Sequence, residues 1–151
     1  VRKGATYEQM VEAGRRVKEA GISLSVTVLL GLAGTRGGQR HAEATGRILS
    51  AIDPDFASAL TVMVVPGTPL HEEMKAGKFQ LPSPFEMLEE LGTIIAHSNF
   101  TRCYFTSNHA SNYLPIKARM PKDKEAVLEL IRKVVAARDP SLLRPEFLRG
   151  L

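Results

Sequence analysis

The sequence predicts an α/β fold, a fragment of a partial (β/α) TIM-like barrel with a short parallel sheet and C-terminal helices. Three observations carry that reading. Two uncharged apolar runs, residues 22–30 and 56–65, are rich in β-branched side chains, as in strands covered on both faces. Segments with apolar residues at helical spacing lie before, between and after them. Strands alternating with helices imply right-handed crossovers and a parallel sheet. A third, shorter run at 101–107 makes three strands, a thin sheet with two exposed edges that suits a piece of a barrel better than a complete small fold.

Thr6 and Gln9 have capping-box spacing, and Tyr7, Met10, Val11, Gly14, Val17 and Lys18 recur at helical intervals. The first helix therefore runs over about 7–20 and stops at Gly21, with Gly14 on its inner face allowing close approach to the sheet. After the 22–30 strand, residues 31–38 hold four glycines and one arginine and read as a turn. A second helix over about 39–51 turns Thr45, Ile48 and Leu49 inward, with Ile52 continuing that stripe, and ends at Asp53-Pro54-Asp55. The 56–65 strand is broken by Pro66-Gly67-Thr68-Pro69, where Thr68 is an N-cap and Pro69 the first residue of a short helix reaching Ala76.

Ser83 and Glu86 repeat the capping-box spacing, and Met87, Leu88, Leu91, Ile94 and Ile95 form a strong stripe up to His97. The third strand is followed by a polar loop over 108–119 anchored by Leu114 and Ile116. Pro121 opens a last helix with Val127, Leu128, Ile131, Val134 and Val135 inside, ending at Asp139-Pro140, and the tail from Ser141 adds a helical turn. Residues 1–120 are the expected half-barrel and 121–151 a C-terminal helical extension.

The chain has 151 residues, 44% of them hydrophobic, so a core can be built. No apolar run approaches the roughly 20 residues of a membrane helix, and no signal peptide is visible. The chain opens on Val1 without an initiator methionine, as expected of a piece of a longer protein. Its +4 charge is spread out. The densest group, Lys117, Arg119, Lys122 and Lys124, reads as a solvated face rather than a nucleic-acid patch, because aromatic residues do not interleave with it. Cys103 is the single cysteine; it forms no intrachain disulfide, which fits a cytoplasmic location, and alone it holds neither zinc nor an iron–sulfur cluster.

Three turns follow the three strands. The 31–38 turn offers backbone amides and a helix start, but its spacing matches neither the P-loop nor the dinucleotide fingerprint. A tight connection without any ligand remains an alternative reading. The second turn, 65–70, shares the same sheet edge, where barrel enzymes bind substrates. The third, Ser107-Asn108-His109-Ala110-Ser111-Asn112-Tyr113, is dense in hydrogen-bonding groups, which serve either loop-internal turns or a ligand. His41, His71 and His97 read as surface residues, and Cys103 as buried and inert.

The order of several motifs carries a resemblance. Lys3-Gly4-Ala5-Thr6 precedes a helix that ends in Ala20-Gly21-Ile22. The next strand ends in Gly31-Leu32-Ala33-Gly34 and the one after in Pro66-Gly67-Thr68-Pro69-Leu70. The 107–116 loop precedes a Pro121-Lys122-Asp123-Lys124 helix start. From Arg2 to about Arg132 the chain resembles the second half of a radical S-adenosylmethionine (radical SAM) enzyme core, in the group of oxygen-independent coproporphyrinogen oxidase and the methylthiotransferases.

The resemblance implies a partial (β/α)6 barrel. Its cysteines, in a C-x3-C-x2-C loop, hold a 4Fe–4S cluster at which S-adenosylmethionine is reductively cleaved to start radical chemistry on a substrate. By position it sets Gly31 beside adenine with Gly34 in the same cofactor-binding turn, Thr27 toward the ribose, Leu29 against adenine, Val65 as a backbone partner of adenine, and Lys3 near the methionine carboxylate. Ala33 and Thr35 replace the proline and glutamate usual in that turn, and no C-x3-C-x2-C occurs. The implied picture is the C-terminal portion of a longer enzyme whose partner is the missing N-terminal barrel half. The isolated fragment would be inactive and hold no cofactor.

Ser107, Asn108, His109 and Asn112 are the candidates for contact with an unknown substrate. Two other functions compete: an independent α/β domain binding an anion or nucleotide on the amides of 35–38, and a nucleic-acid module using 117–124. A half-barrel exposes lumen residues such as Leu29, Met63 and Val65, each forgoing roughly 1.5–3 kcal/mol of burial. A homodimer through the open sheet edge is therefore expected.

Overall fold

A computed structural model describes residues 4–150. Helix α1 (Tyr7–Glu19) opens with the Thr6–Gln9 capping box, made by reciprocal side-chain and backbone hydrogen bonds. Strand β1 (Ser25–Leu30) follows, then α2 (Gly34–Ile52), β2 (Phe56–Thr61), α3 (Pro69–Lys75), α4 (Pro84–Ala96), β3 (Cys103–Thr106), β4 (Lys117–Met120) and α5 (Lys124–Ala137). Two 3-10 turns, Pro140–Leu142 and Glu146–Leu148, form the tail. Thr68 caps α3 with Pro69 at its first turn, and Ser83 and Glu86 complete a second capping box at α4.

The four strands lie in the order β1-β2-β3-β4, the first three parallel and the last antiparallel to β3. The architecture is therefore α/β with a mostly parallel four-stranded sheet. β4 lies in what reads as a loop in the sequence. Its Lys-Ala-Arg-Met alternation places Ala118 and Met120 in the core and Lys117 and Arg119 outside, but four residues give too short a period to register.

Further boundaries differ from expectation, and α5 starts at Lys124 rather than at Pro121. β1 starts at Ser25, and Ile22 is exposed. β2 ends at Thr61 because β1, its partner, leaves the sheet at Leu30. The glycine turn shrinks to residues 31–33, since α2 already begins at Gly34. Glycine is a poor helix former, so packing decides here: a Cβ at Gly34 would lie 3.0 Å from the Gln80 carbonyl oxygen and 3.2 Å from the Phe79 ring.

The strands are not covered on both faces. Leu30, Ala57, Ala59, Cys103, Phe105, Ala118 and Met120 face the helices and belong to one core with Leu49, Met87, Leu91, Ile94 and Ile131, and Val28 packs against it. Their neighbours in the pleat, including Thr27, Leu29, Phe56, Ser58, Leu60, Tyr104 and Thr106, form the opposite face. No helix covers that face among the described residues, and Phe56 and Tyr104 are 46% and 40% exposed.

α4 is the centre of the helical layer, packed on both α2 and α5. Its five-residue stripe is wholly buried, each member contributing on the order of 1.5–3 kcal/mol. Gly46 permits the α2–α4 approach, where a Cβ would stand 2.8 Å from the Ile94 carbonyl oxygen. Gly14 serves close packing too, but against Ile52 of α2 rather than the sheet. Among the described residues no helix is long and apolar enough to cross a membrane.

Candidate functional site

Because β1, β2 and β3 are parallel, their C-terminal ends share one edge of the sheet, and the segments after Leu30, Thr61 and Thr106 gather there. The first of these segments is tightly built. Gly31 has φ +78°, which favours glycine, and a Cβ on it would lie 3.0 Å from Val62 Cγ1 and 3.1 Å from Met87 Cε. Its carbonyl accepts from Gly34 N–H (3.1 Å), and its own N–H donates to Glu90 Oε2 (2.9 Å). Glu90 is 5% exposed, and its other oxygen lies 2.8 Å from His41 Nδ1. His41 is thus a partly buried partner of a core carboxylate, not a plain surface residue. His71 is likewise half-buried, beside Gly67 N–H, whereas His97 is exposed at the end of α4.

Thr27 and Leu29 alternate out of the core-facing row of β1, Thr27 exposed and Leu29 half-buried and in contact with the edge of the core. Ser58 and Thr106 share a 3.0 Å hydroxyl hydrogen bond on the sheet face opposite the core. Val65 is exposed at the same edge, and its carbonyl accepts from the Thr68 N–H (3.2 Å) and hydroxyl (2.7 Å). Gly34 is buried as the first residue of α2. Lys3 lies outside the described residues.

Two amides at the start of α2 are already engaged. Gly34 N–H is taken by Gly31, and Thr35 N–H donates to the Gln80 carbonyl (3.1 Å). Gly34, Thr35, Gly38 and Gln39 line a hollow of about 190 Å³ together with Glu86, Glu89 and Glu90. Three carboxylates beside a helix start oppose an anionic ligand there.

The 107–113 loop folds back onto the end of β2. Asn112, 3% exposed, donates through Nδ2 to the carbonyls of Ala59 (2.7 Å) and Ser107 (2.9 Å) and accepts from the Thr61 hydroxyl (2.9 Å). Ser111 Oγ accepts from Thr61 N–H (3.2 Å). Ser107 is buried, with its hydroxyl donating to the Leu114 carbonyl (3.0 Å). Ser107 and Asn112 therefore hold the loop, while Asn108 and His109 are exposed, His109 Nδ1 lying 3.0 Å from Ser111 Oγ.

Two tail arginines close over the same loop. Arg144 Nη1 donates to the carbonyls of His109 (2.7 Å) and Asn112 (3.1 Å). Arg149 donates through Nε to the Ser111 carbonyl (2.8 Å) and through Nη1 to Glu146 (2.6 Å) and the Tyr113 hydroxyl, and it stacks 4.0 Å from the Tyr113 ring centroid. Burial pushes the Tyr113 hydroxyl up to about 12.

Cys103 sits at the other edge of the sheet, where β3 begins. It is buried, and desolvation pushes its thiol up to about 12, so it stays protonated and unreactive. Among the described residues no three or more His, Cys, Asp or Glu side chains are grouped to hold a metal ion.

Glu90 carried a usable signal in the sequence: three after Met87 and four before Ile94, it falls on the buried stripe. The two tail arginines carried none, since their partners in the loop lie about 30 or more residues away. A scan against family models and a search of curated proteins both find no match to this chain.

Proposed function

We infer that the chain is half of a radical SAM-type site: part of a (β/α) barrel whose open sheet face is the lumen side and whose strand-end turns form the distal, adenine and ribose side of the S-adenosylmethionine pocket. One observation carries this. Among the described residues helices cover one face of a mostly parallel sheet, as an outer ring would, and three strand ends share one edge beside the bare face. Thr27 and Leu29 lie on that face next to the Gly31 turn, a hydroxyl and an aliphatic group suited to a ribose and an adenine ring.

The residues of this chain do not fit a 4Fe–4S cluster. Cys103 stands alone, buried and protonated, at the sheet edge opposite Gly31. In this reading the cluster ligands belong to the partnering barrel half, as does the reductive cleavage. The carboxylates lining the hollow at the start of α2, with the engaged Thr35 amide, disfavour the anion-binding alternative.

The test is the gene upstream of Val1. A C-x3-C-x2-C motif preceding further βα units is expected; its absence would sink the reading. Calorimetry on the 151-residue chain alone should give negligible S-adenosylmethionine binding, and clear saturation would contradict the division of the site.

A further inference from the structure

We propose that Glu90 is the positioning residue of the strand-end turn: its carboxylate fixes the Gly31 amide, and His41 fixes the carboxylate. The proposal rests on the reading of Gly31 as the adenine-side turn. Met87, Leu91 and Ile94 around Glu90 on α4 are all buried. A carboxylate in that stripe is unfavourable unless its charge is matched, and a leucine would fill the place without that cost.

Both oxygens of Glu90 are instead used to tie distant elements. One accepts the Gly31 N–H beyond β1 (2.9 Å), the other meets His41 on α2 (2.8 Å). The Gly31 bond is buried and made to a carboxylate, and hydrogen bonds to a carboxylate are the stronger class. Val62 and Met87 leave no free room for a Cβ at Gly31, and the Gly31 carbonyl holds the first amide of α2. Both peptide planes at Gly31 are therefore fixed, and a ligand at the strand end meets a prebuilt backbone.

Neighbouring carboxylates have other partners. Glu86 accepts from Ser83 N–H (2.7 Å), Glu89 from Arg138 (3.0 Å), and Glu43 from Gln39 (2.7 Å). His41 is the basic group that meets Glu90.

The test compares Glu90→Gln, Glu90→Leu and His41→Ala with the wild type. Amide hydrogen exchange and the Gly31 proton shift are read by NMR on the chain, and S-adenosylmethionine affinity by calorimetry on the protein extended upstream. Gly31 protection should fall about threefold in Glu90→Gln and His41→Ala and about tenfold or more in Glu90→Leu, with the rest of α4 unchanged. Affinity should fall in the same order while Tm stays near wild type in Glu90→Gln.

Unchanged Gly31 protection, an even loss along α4, or full affinity despite lost protection would overturn the proposal. Should Glu90→Leu not fold, the other two variants decide. If the extended wild type binds no S-adenosylmethionine, the functional reading fails, and the exchange data still decide the clamp.

Discussion

Replacing Asn112 by alanine separates a loop that is built from one that merely lines a ligand. The side chain makes three buried hydrogen bonds, to Ala59, Ser107 and Thr61. Truncation leaves two carbonyls and a hydroxyl without those partners. At about 0.5–1.5 kcal/mol per bond, the expected loss is roughly 2–4 kcal/mol. For a chain of this length that is a Tm drop of roughly 4–16 °C. Urea unfolding followed by far-UV circular dichroism gives the free energy, and a thermal scan gives Tm. The midpoint should fall with the slope unchanged, since the surface exposed on unfolding is the same. A loss under about 1 kcal/mol would refute the reasoning, because bonds this buried cannot be replaced at so small a cost. It would return Asn112 to the list of free ligand-contacting groups.

Three further outcomes follow from other contacts. Gly46→Ala should destabilise the fold by about 1–3 kcal/mol, because its Cβ would stand 2.6 Å from His97 Cβ and 2.8 Å from a backbone oxygen; wild-type stability in urea would show that α2 and α4 can part freely. Tyr113 has its hydroxyl raised from 10.0 to about 12, so its contribution is fully present below pH 10 and is lost as pH rises toward 12. Tyr113→Phe should therefore flatten the alkaline loss of stability in that window, and an unchanged profile would contradict the burial of that hydroxyl. Cys103 should resist iodoacetamide in the native chain and react once urea unfolds it; rapid native alkylation would be inconsistent with a desolvated thiol.

The sequence reads best where structure is decided locally. Both capping boxes and the Thr68 cap involve residues three apart, so spacing alone reveals them. The stripe of α4 is legible for the same reason. The start of α2 is not, because Gly34, Gly37 and Gly38 argue against helix until the Phe79–Gln80 segment is seen packed on Gly34. β4 depends on pairing with β3, and nothing within its four residues announces that partner. At the strand-end edge, position along the chain brought Gly31, Val65 and the 107–113 loop together, since parallel strands share a direction. The carboxylate that holds Gly31 and the arginines that hold the loop come from elements far off in sequence, where reading for apolar periodicity passes over charged residues.

The central claim, that this chain supplies half of an S-adenosylmethionine site, meets its most direct test in 5′-deoxyadenosine release. The protein extended upstream and reconstituted with iron and sulfide should release it from S-adenosylmethionine under strong reductant. Gly31→Val should abolish the release while cluster absorbance stays intact, since a side chain at φ +78° wedged against Val62 and Met87 deforms the turn. No release from the wild type with an intact cluster, or undiminished release from Gly31→Val, would contradict the account.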